Sequence, residues 1–229
     1  MLRPKKKISK RELKQDALIT TYAKLTGWYA EHKKQIGPVL VGVVVVILGA
    51  VVYLSNRATN NEKASTDLAR VFSYYDNGQY QQAIDGIPEK AIPGLKSIVE
   101  NYGGTRAGDM ARFYLASAYF SLGRFDEALE QFEDTGDMGP RLVVARLSGI
   151  AGCYEAKQKY AEAGEYFEKA ATAYAEDLNG AENLNNAARS YASAGNKEKA
   201  IELYKKLKKS YPTTSFGREA DRFISQLSV

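Results

Sequence analysis

The chain carries one cysteine and one histidine in 229 residues. That scarcity excludes an intrachain disulfide and a Cys/His zinc cluster. It also excludes a Cys–His nucleophilic pair, because His32 lies far upstream of Cys153. No glycine-rich phosphate loop, His-x-x-x-His pair or Gly-x-Ser-x-Gly elbow is present. With those constellations missing, neither an enzyme nor a bound cofactor or metal is expected. Apolar residues make up 45% and charged residues 26%, which excludes a disordered chain.

A net charge of +5 hints at nucleic acid, but its distribution removes the hint. Residues 1–57 hold 11 Lys/Arg against three acids, and the remaining residues hold 21 against 24. The larger part of the chain is slightly acidic and lacks the clustered cations that phosphates need. No nucleic-acid or small-molecule partner is therefore expected.

Residues 36–54 read IGPVLVGVVVVILGAVVYL, 19 positions without a charge. At about 1.5 Å per residue this is roughly 28 Å of helix, close to the thickness of a bilayer's hydrocarbon core. A soluble core helix would keep polar positions on one face, and a strand would be far shorter. A cleaved signal peptide is shorter and ends in a small-x-small site that Val52–Arg57 does not offer. An uncleaved single-pass anchor fits best. Ten Lys/Arg precede the run, and only Arg57 and Lys63 follow within ten residues. The positive-inside rule then places the N-terminus in the cytoplasm and the C-terminal part outside, in the periplasm of a two-membrane bacterium.

The predicted layout is a basic cytoplasmic arm over 1–35, the span over 36–54, a linker over 55–63 and a folded domain over 64–229. In the arm, Ser9-x-x-Glu12 has the form of a capping box. Leu18, Tyr22, Leu25 and Tyr29 fall on one helical stripe. Trp28 and Tyr29 suit the headgroup layer as interface anchors. Gly37-Pro38 is expected to break the helix between arm and span. The arm is either an interfacial helix on anionic lipid or a docking helix for a membrane partner.

Beyond the span the chain repeats. Tyr119-Gly123-Phe125-Ala128-Phe132 has parallels in Tyr154-Gln158-Tyr160-Ala163-Phe167 and Tyr191-Gly195-Lys197-Ala200-Tyr204. Tyr74-Gly78-Tyr80-Ala83 is an earlier copy. The alanines at 128, 163 and 200 are 35 and 37 residues apart. That is the period of the tetratricopeptide repeat, in which two antiparallel helices cross closely at an alanine. Ala83 to Ala128 spans 45 residues, and the excess lies in the breaker-rich stretch 85–94. A second helix should restart near Leu95. Tyr102–Ala111 also parallels Tyr211–Ala220, both marking entry to a new helix. The fold class is therefore all-α: one span, then a solenoid of about four helix pairs and a C-terminal capping helix. No strand-like alternation is visible. The acidic run from Asp126 to Asp137 and the Lys205–Lys209 cluster read as solvated helix surface.

The repeats resemble tetratricopeptide repeats. The whole layout, from Trp28-Tyr29-Ala30-Glu31-His32-Lys33-Lys34 through the span to the repeats, resembles the YfgM-like family, the ancillary subunit of the bacterial SecYEG translocon. That resemblance implies a chaperone-like role beside the translocon, with exported polypeptides and periplasmic chaperones as partners. Carried over by position, the tetratricopeptide groove comprises Leu68, Phe72, Tyr75, Met110, Phe113, Ser117, Phe120, Ala145, Ser148, Glu155, Asn185 and Arg189. Phe72 and Phe113 are expected to serve mainly as core. Only Asn185 and Arg189 remotely fit a carboxylate clamp, so that ligand class is disfavoured. The functional expectation is a non-catalytic membrane-anchored adaptor. The alternative is a scaffold for assembling a cell-envelope complex.

Overall fold

The computed structural model of the chain describes residues 10–136, 138–174 and 179–228, with side chains from residue 19 onward except Ile36. Ser9 and Asp137, and the side chains of Glu12 and Leu18, lie outside that description. Two compact units divide the chain, Met1–Asn56 and Arg57–Val229. Helix α1 (Lys10–Asp76) supplies residues to both.

In the first unit the helical residues run through Pro38. The expected break at Gly37-Pro38 is corrected. Proline removes one rung of the ladder, yet the apolar run after it has no polar side chain to offer its backbone another partner. Helical bonds are then the only ones available to it. Every large apolar side chain from Val39 to Leu54 is exposed, from 49% at Val43 to 71% at Val46. This is the one helix among the described residues long and apolar enough to cross a membrane, and none of its most apolar stretch is buried. Residues 55–63, expected as a linker, are helical throughout.

The second unit pairs residues 57–76 of α1 with α2 (Tyr80–Asp85). Next come β1 (Gly86–Ile87), a 3-10 turn (Pro88–Lys90), β2 (Ile92–Pro93) and α3 (Leu95–Tyr102). Then follow α4 (Arg106–Ser121) with α5 (Phe125–Glu133), and α6 (Pro140–Ala156) with α7 (Tyr160–Ala173). Helices α8 (Gly180–Ser193) and α9 (Lys197–Ser210) form the last pair, and α10 (Ser215–Leu227) ends the series. The restart at Leu95 is as the breakers implied. The expectation of no strands is corrected by the antiparallel pair β1–β2, with Gly86 opposite Pro93 and Ile87 opposite Ile92. A pairing of two residues is too short to leave an alternating signature.

The four turns between paired helices share one bonding scheme. The amide five residues on donates to the tyrosine carbonyl in each: Gln79 to Tyr74, Arg124 to Tyr119, Lys159 to Tyr154 and Asn196 to Tyr191, all at 2.9 Å. Closing so tight a turn needs a left-handed residue, and positions 78, 123, 158 and 195 have φ of +73°, +74°, +59° and +81°. Three are glycine; the third turn uses Gln158. The alanines that follow, Ala83, Ala128, Ala163 and Ala200, are each 0% exposed, as the close helix crossing requires.

The matched entries to α4 and α10 are equally alike. Thr105 and Thr214 accept from the amides of Gly108 and Gly217 at 3.0 and 3.1 Å, and donate to the carbonyls of Tyr102 and Tyr211. These are N-caps. A Cβ on either glycine would lie 2.1 or 2.0 Å from that same tyrosine carbonyl oxygen. The sequence parallel between 102–111 and 211–220 thus records a backbone that approaches too closely for any other residue.

Two hydrophobic cores result, one from α1 to α6 and one from α6 to α10. Tyr154 and Tyr166 pack against both and stack at 5.4 Å. Burying each large apolar side chain supplies about 1.5–3 kcal/mol. Cys153 lies wholly inside, and burial pushes its thiol up to about 12.

Candidate protein-binding groove

The first helices of the pairs carry the candidate groove residues. Residues 57–76 of α1 are fastened to the entry of α4 at two points. Arg57 donates to the Gly104 carbonyl at 3.1 and 2.8 Å, and the Asn61 carboxamide accepts from the Ala107 amide at 2.8 Å. The second bond satisfies an amide that the start of a helix leaves open.

Between these helices lies a cleft of about 570 Å³, lined by Asn61, Ser65, Leu68, Ala69, Phe72, Arg106, Ala107, Met110 and Tyr114. It brings together Leu68, Phe72 and Met110 from the groove expected in the sequence. Phe72 is 36% exposed, so the expectation that it serves mainly as core is corrected. Its ring stands at the cleft wall, edge-on to Tyr114 at 5.1 Å and stacked on Tyr75 at 5.8 Å. Tyr75 meets Tyr114 at 5.1 Å and Tyr80 at 5.5 Å. Burial raises the Tyr75 phenol pKa, and a hydrogen bond with Ser117 works against that rise. Ser117 also donates to the Phe113 carbonyl at 2.9 Å. Phe113 is half-buried and packs between Tyr114 and Phe132, as a core residue would.

Phe120 stands apart from this cleft. It meets Phe125 at 5.4 Å and covers Gly152, where a Cβ would come within 3.2 Å of its ring. Ala145 and Ser148 line a second cleft of about 370 Å³ between α6 and α8, with Arg141, Glu182, Asn183 and Asn186 among its walls. Glu155 and Arg189 pair with each other, at 2.8 and 3.1 Å. A guanidinium so engaged is poorly placed to hold a ligand carboxylate. Asn185 is half-buried and lines neither cleft.

Sequence reasoning passed over Tyr114, Arg106 and Asn183. Tyr114 lies one position from Phe113 and therefore on a different part of α4's surface. Its signal was the density of aromatics in Phe113-Tyr114, read only once. Asn183 carried none, since it is one of four asparagines, with Asn179, Asn185 and Asn186, at the start of α8.

In the first unit, Trp28 and Tyr29 are 56% and 55% exposed. Trp28 stacks on His32 at 5.0 Å, and His32 Nδ1 donates to the Trp28 carbonyl at 2.8 Å. Tyr22 and Leu25 of the expected stripe are exposed as well.

Among the described residues no cluster of His, Cys, Asp and Glu has the arrangement of a metal site. Asp126 pairs with Lys157, and Glu127 with Arg124, so part of the acidic run is spent in surface ion pairs.

The comparisons with known proteins agree with this architecture. A model of the tetratricopeptide repeat-like domain matches residues 26–174, and a model of the tetratricopeptide repeat matches residues 143–212. Neither describes a catalytic domain. No curated protein matches the chain. Among solved structures, the chain is similar to two of a Podosopora anserina protein described as a kinesin light chain with nearly identical TPR-like repeats, the first of them a substituted form. For the substituted form, identity is 18%, the match covers 73% of this chain and 85% of that one, and the TM-score is 0.54. The other gives 18% identity, coverage of 73% and 86%, and a TM-score of 0.53. At that identity the likeness speaks for the fold alone. The repeats are of the kind that bind other proteins, and the chain belongs to the tetratricopeptide repeat-like domain family.

Proposed function

We propose that the protein is a single-pass membrane adaptor of the bacterial inner membrane. Its N-terminal arm lies in the cytoplasm, and its repeat domain binds exported or envelope proteins in the periplasm near the Sec translocon. The observation that carries the anchor is the run from Val39 to Leu54, apolar on every side and exposed on every side. A helix of that kind is at rest only in hydrocarbon. The excess of Lys/Arg before the run supports the orientation. The cleft between α1 and α4, with Leu68, Phe72, Met110 and Tyr114 around it, supports binding of apolar segments of a polypeptide. Trp28 and Tyr29 act as interface anchors.

The test is affinity purification from native membranes in mild detergent, with the wild-type chain and with Phe72→Ala/Met110→Ala. Translocon subunits and periplasmic chaperones should accompany the wild type and be depleted at least tenfold with the double variant. The variant's melting temperature should fall by only a few degrees, because both side chains lie at the cleft wall. Partners drawn from division or respiratory-complex assembly would instead favour the scaffold reading. Equal recovery with both chains would remove the cleft from the account.

A further inference from the structure

The cleft between α1 and α4 has a charged end and an apolar end. Asn61, Ser65, Leu68 and Phe72 succeed one another at helical spacing along its α1 wall, and Arg106, Met110 and Tyr114 along its α4 wall. The Asn61 side chain meets the Ala107 amide at one end, and Phe72 meets Tyr114 at the other. The two walls therefore run the same way, with Asn61, Ser65 and Arg106 together and the large apolar side chains beyond them. From Asn61 to Phe72 the wall is about 16 Å of helix. Among the described residues no acid lines the cleft. Arg70, Arg112, Arg124, Arg189 and Arg222 each hold a carboxylate, whereas the exposed Arg106 holds none among the described residues. Asn61 Oδ1 is taken by the Ala107 amide, so this carboxamide has its Nδ2 hydrogens to offer a ligand.

We infer that this cleft binds a fatty-acid anion, with the carboxylate at Arg106 and the acyl chain along Leu68, Met110, Phe72 and Tyr114. A guanidinium suits a carboxylate because two parallel N–H···O bonds reach its two oxygens. The Asn61 carboxamide and the Ser65 hydroxyl are further donors at the same end. Helix α4 starts there, and its dipole favours a negative charge. One cation matches the single charge of a carboxylate, whereas a phosphomonoester brings nearly two. Beyond the head group, one apolar row on each wall leaves a place for one chain. Seating that chain takes the exposed ring of Phe72 out of water. Polypeptide side chains can enter the apolar end alone; a fatty acid uses both ends. The inference goes beyond the polypeptide reading of this cleft and makes the acyl chain a competitor for it. It also departs from the expectation of no small-molecule partner, since Ser65 and Arg106 come together only in the fold.

The experiment uses the full chain in nanodiscs of phosphatidylcholine. Its probe is a 12-carbon fatty acid with a diazirine within the chain, and the control is the matching alcohol. Light attaches either compound to the residues beside it, and mass spectrometry of a digest locates the label. Labelling of the run from Val39 to Leu54 measures how much probe the bilayer holds and normalises each sample. The acid should label residues 61–76 and 106–121 at least tenfold more than the alcohol does. Arg106→Gln should lose at least tenfold of that labelling, and Arg106→Lys should retain most of it. Both variants should melt as the wild type does, because Arg106 is exposed and holds no carboxylate among the described residues. Equal labelling by acid and alcohol overturns the proposal, and so does equal labelling of wild type and Arg106→Gln. Label centred elsewhere in the repeat domain also overturns it. Loss of labelling with a lower melting temperature in both variants does the same, since Arg106 would then be structural. Any of these failures leaves the polypeptide reading to its own test, the recovery of partners with Phe72→Ala/Met110→Ala.

Discussion

Between Val39 and Leu54 every large apolar side chain is exposed, whereas in the described part of residues 57–229 the exposed ones are Phe72, Phe120 and Leu122. Both regions are helical, so secondary structure does not explain the difference. The pattern does. In the repeats, apolar residues recur at helical spacing with polar ones between them, giving each helix one face to bury. In the span they are continuous, and no face is left for water. Exposure therefore means two things in one molecule. Along the apolar run it is compatible with a lipid solvent; at Phe72 it belongs to the wall of a cleft between α1 and α4.

The strongest test of that contrast puts charge into both regions. Val45→Lys together with Leu48→Lys should prevent stable membrane integration, since each lysine costs about 2.5–3.5 kcal/mol at a helix centre. The protein should then be washed from membranes by alkaline carbonate. Leu122→Lys, also at an exposed apolar position, should stay in the membrane fraction.

Inside the repeat domain, Leu203→Ala should destabilise by about 2–5 kcal/mol, because Leu203 is fully buried and its removal leaves a cavity. Thermal unfolding measures it, and Cys153 gives a second readout. With its thiol held at about 12, the buried cysteine should resist alkylation at pH 8 in the native protein and react faster in the variant.

Gln158→Gly should act in the opposite direction by about 1 kcal/mol, as a left-handed glutamine gives way to the residue used in the other three turns. A lower melting temperature would mean that the Gln158 side chain stabilises its turn by some other route. The smallest effect belongs to Lys208→Ala. It breaks the exposed pair with Asp221, worth at most about 1 kcal/mol, and it should vanish in high salt.

Much of this architecture was legible because the repeat imposes the same physical demand four times. Tyr119, Ala128 and their counterparts had to recur at a fixed spacing, since each alanine sits at a helix crossing and each tyrosine carbonyl closes a turn. The restart at Leu95 was legible from the breakers before it. Pro38 was misread because proline's local effect is strong, while the lack of alternative partners for an apolar backbone belongs to the whole segment. The β1–β2 pair was too short to see. Of the residues expected in the groove, Leu68, Phe72 and Met110 line one cleft. Asn183, in the wall of the second cleft, was not legible, because its hydrogen-bond partner Ser148 lies 35 residues away.

The central claim is that the repeat domain faces the compartment beyond the membrane. A phosphatase that folds only after export, fused after the last residue, tests it most directly. Activity of that fusion, with a cytoplasm-only fluorescent reporter dark at the same site, is the predicted result. A bright fluorescent fusion with an inactive phosphatase would contradict the orientation and the placement of the groove beside exported proteins.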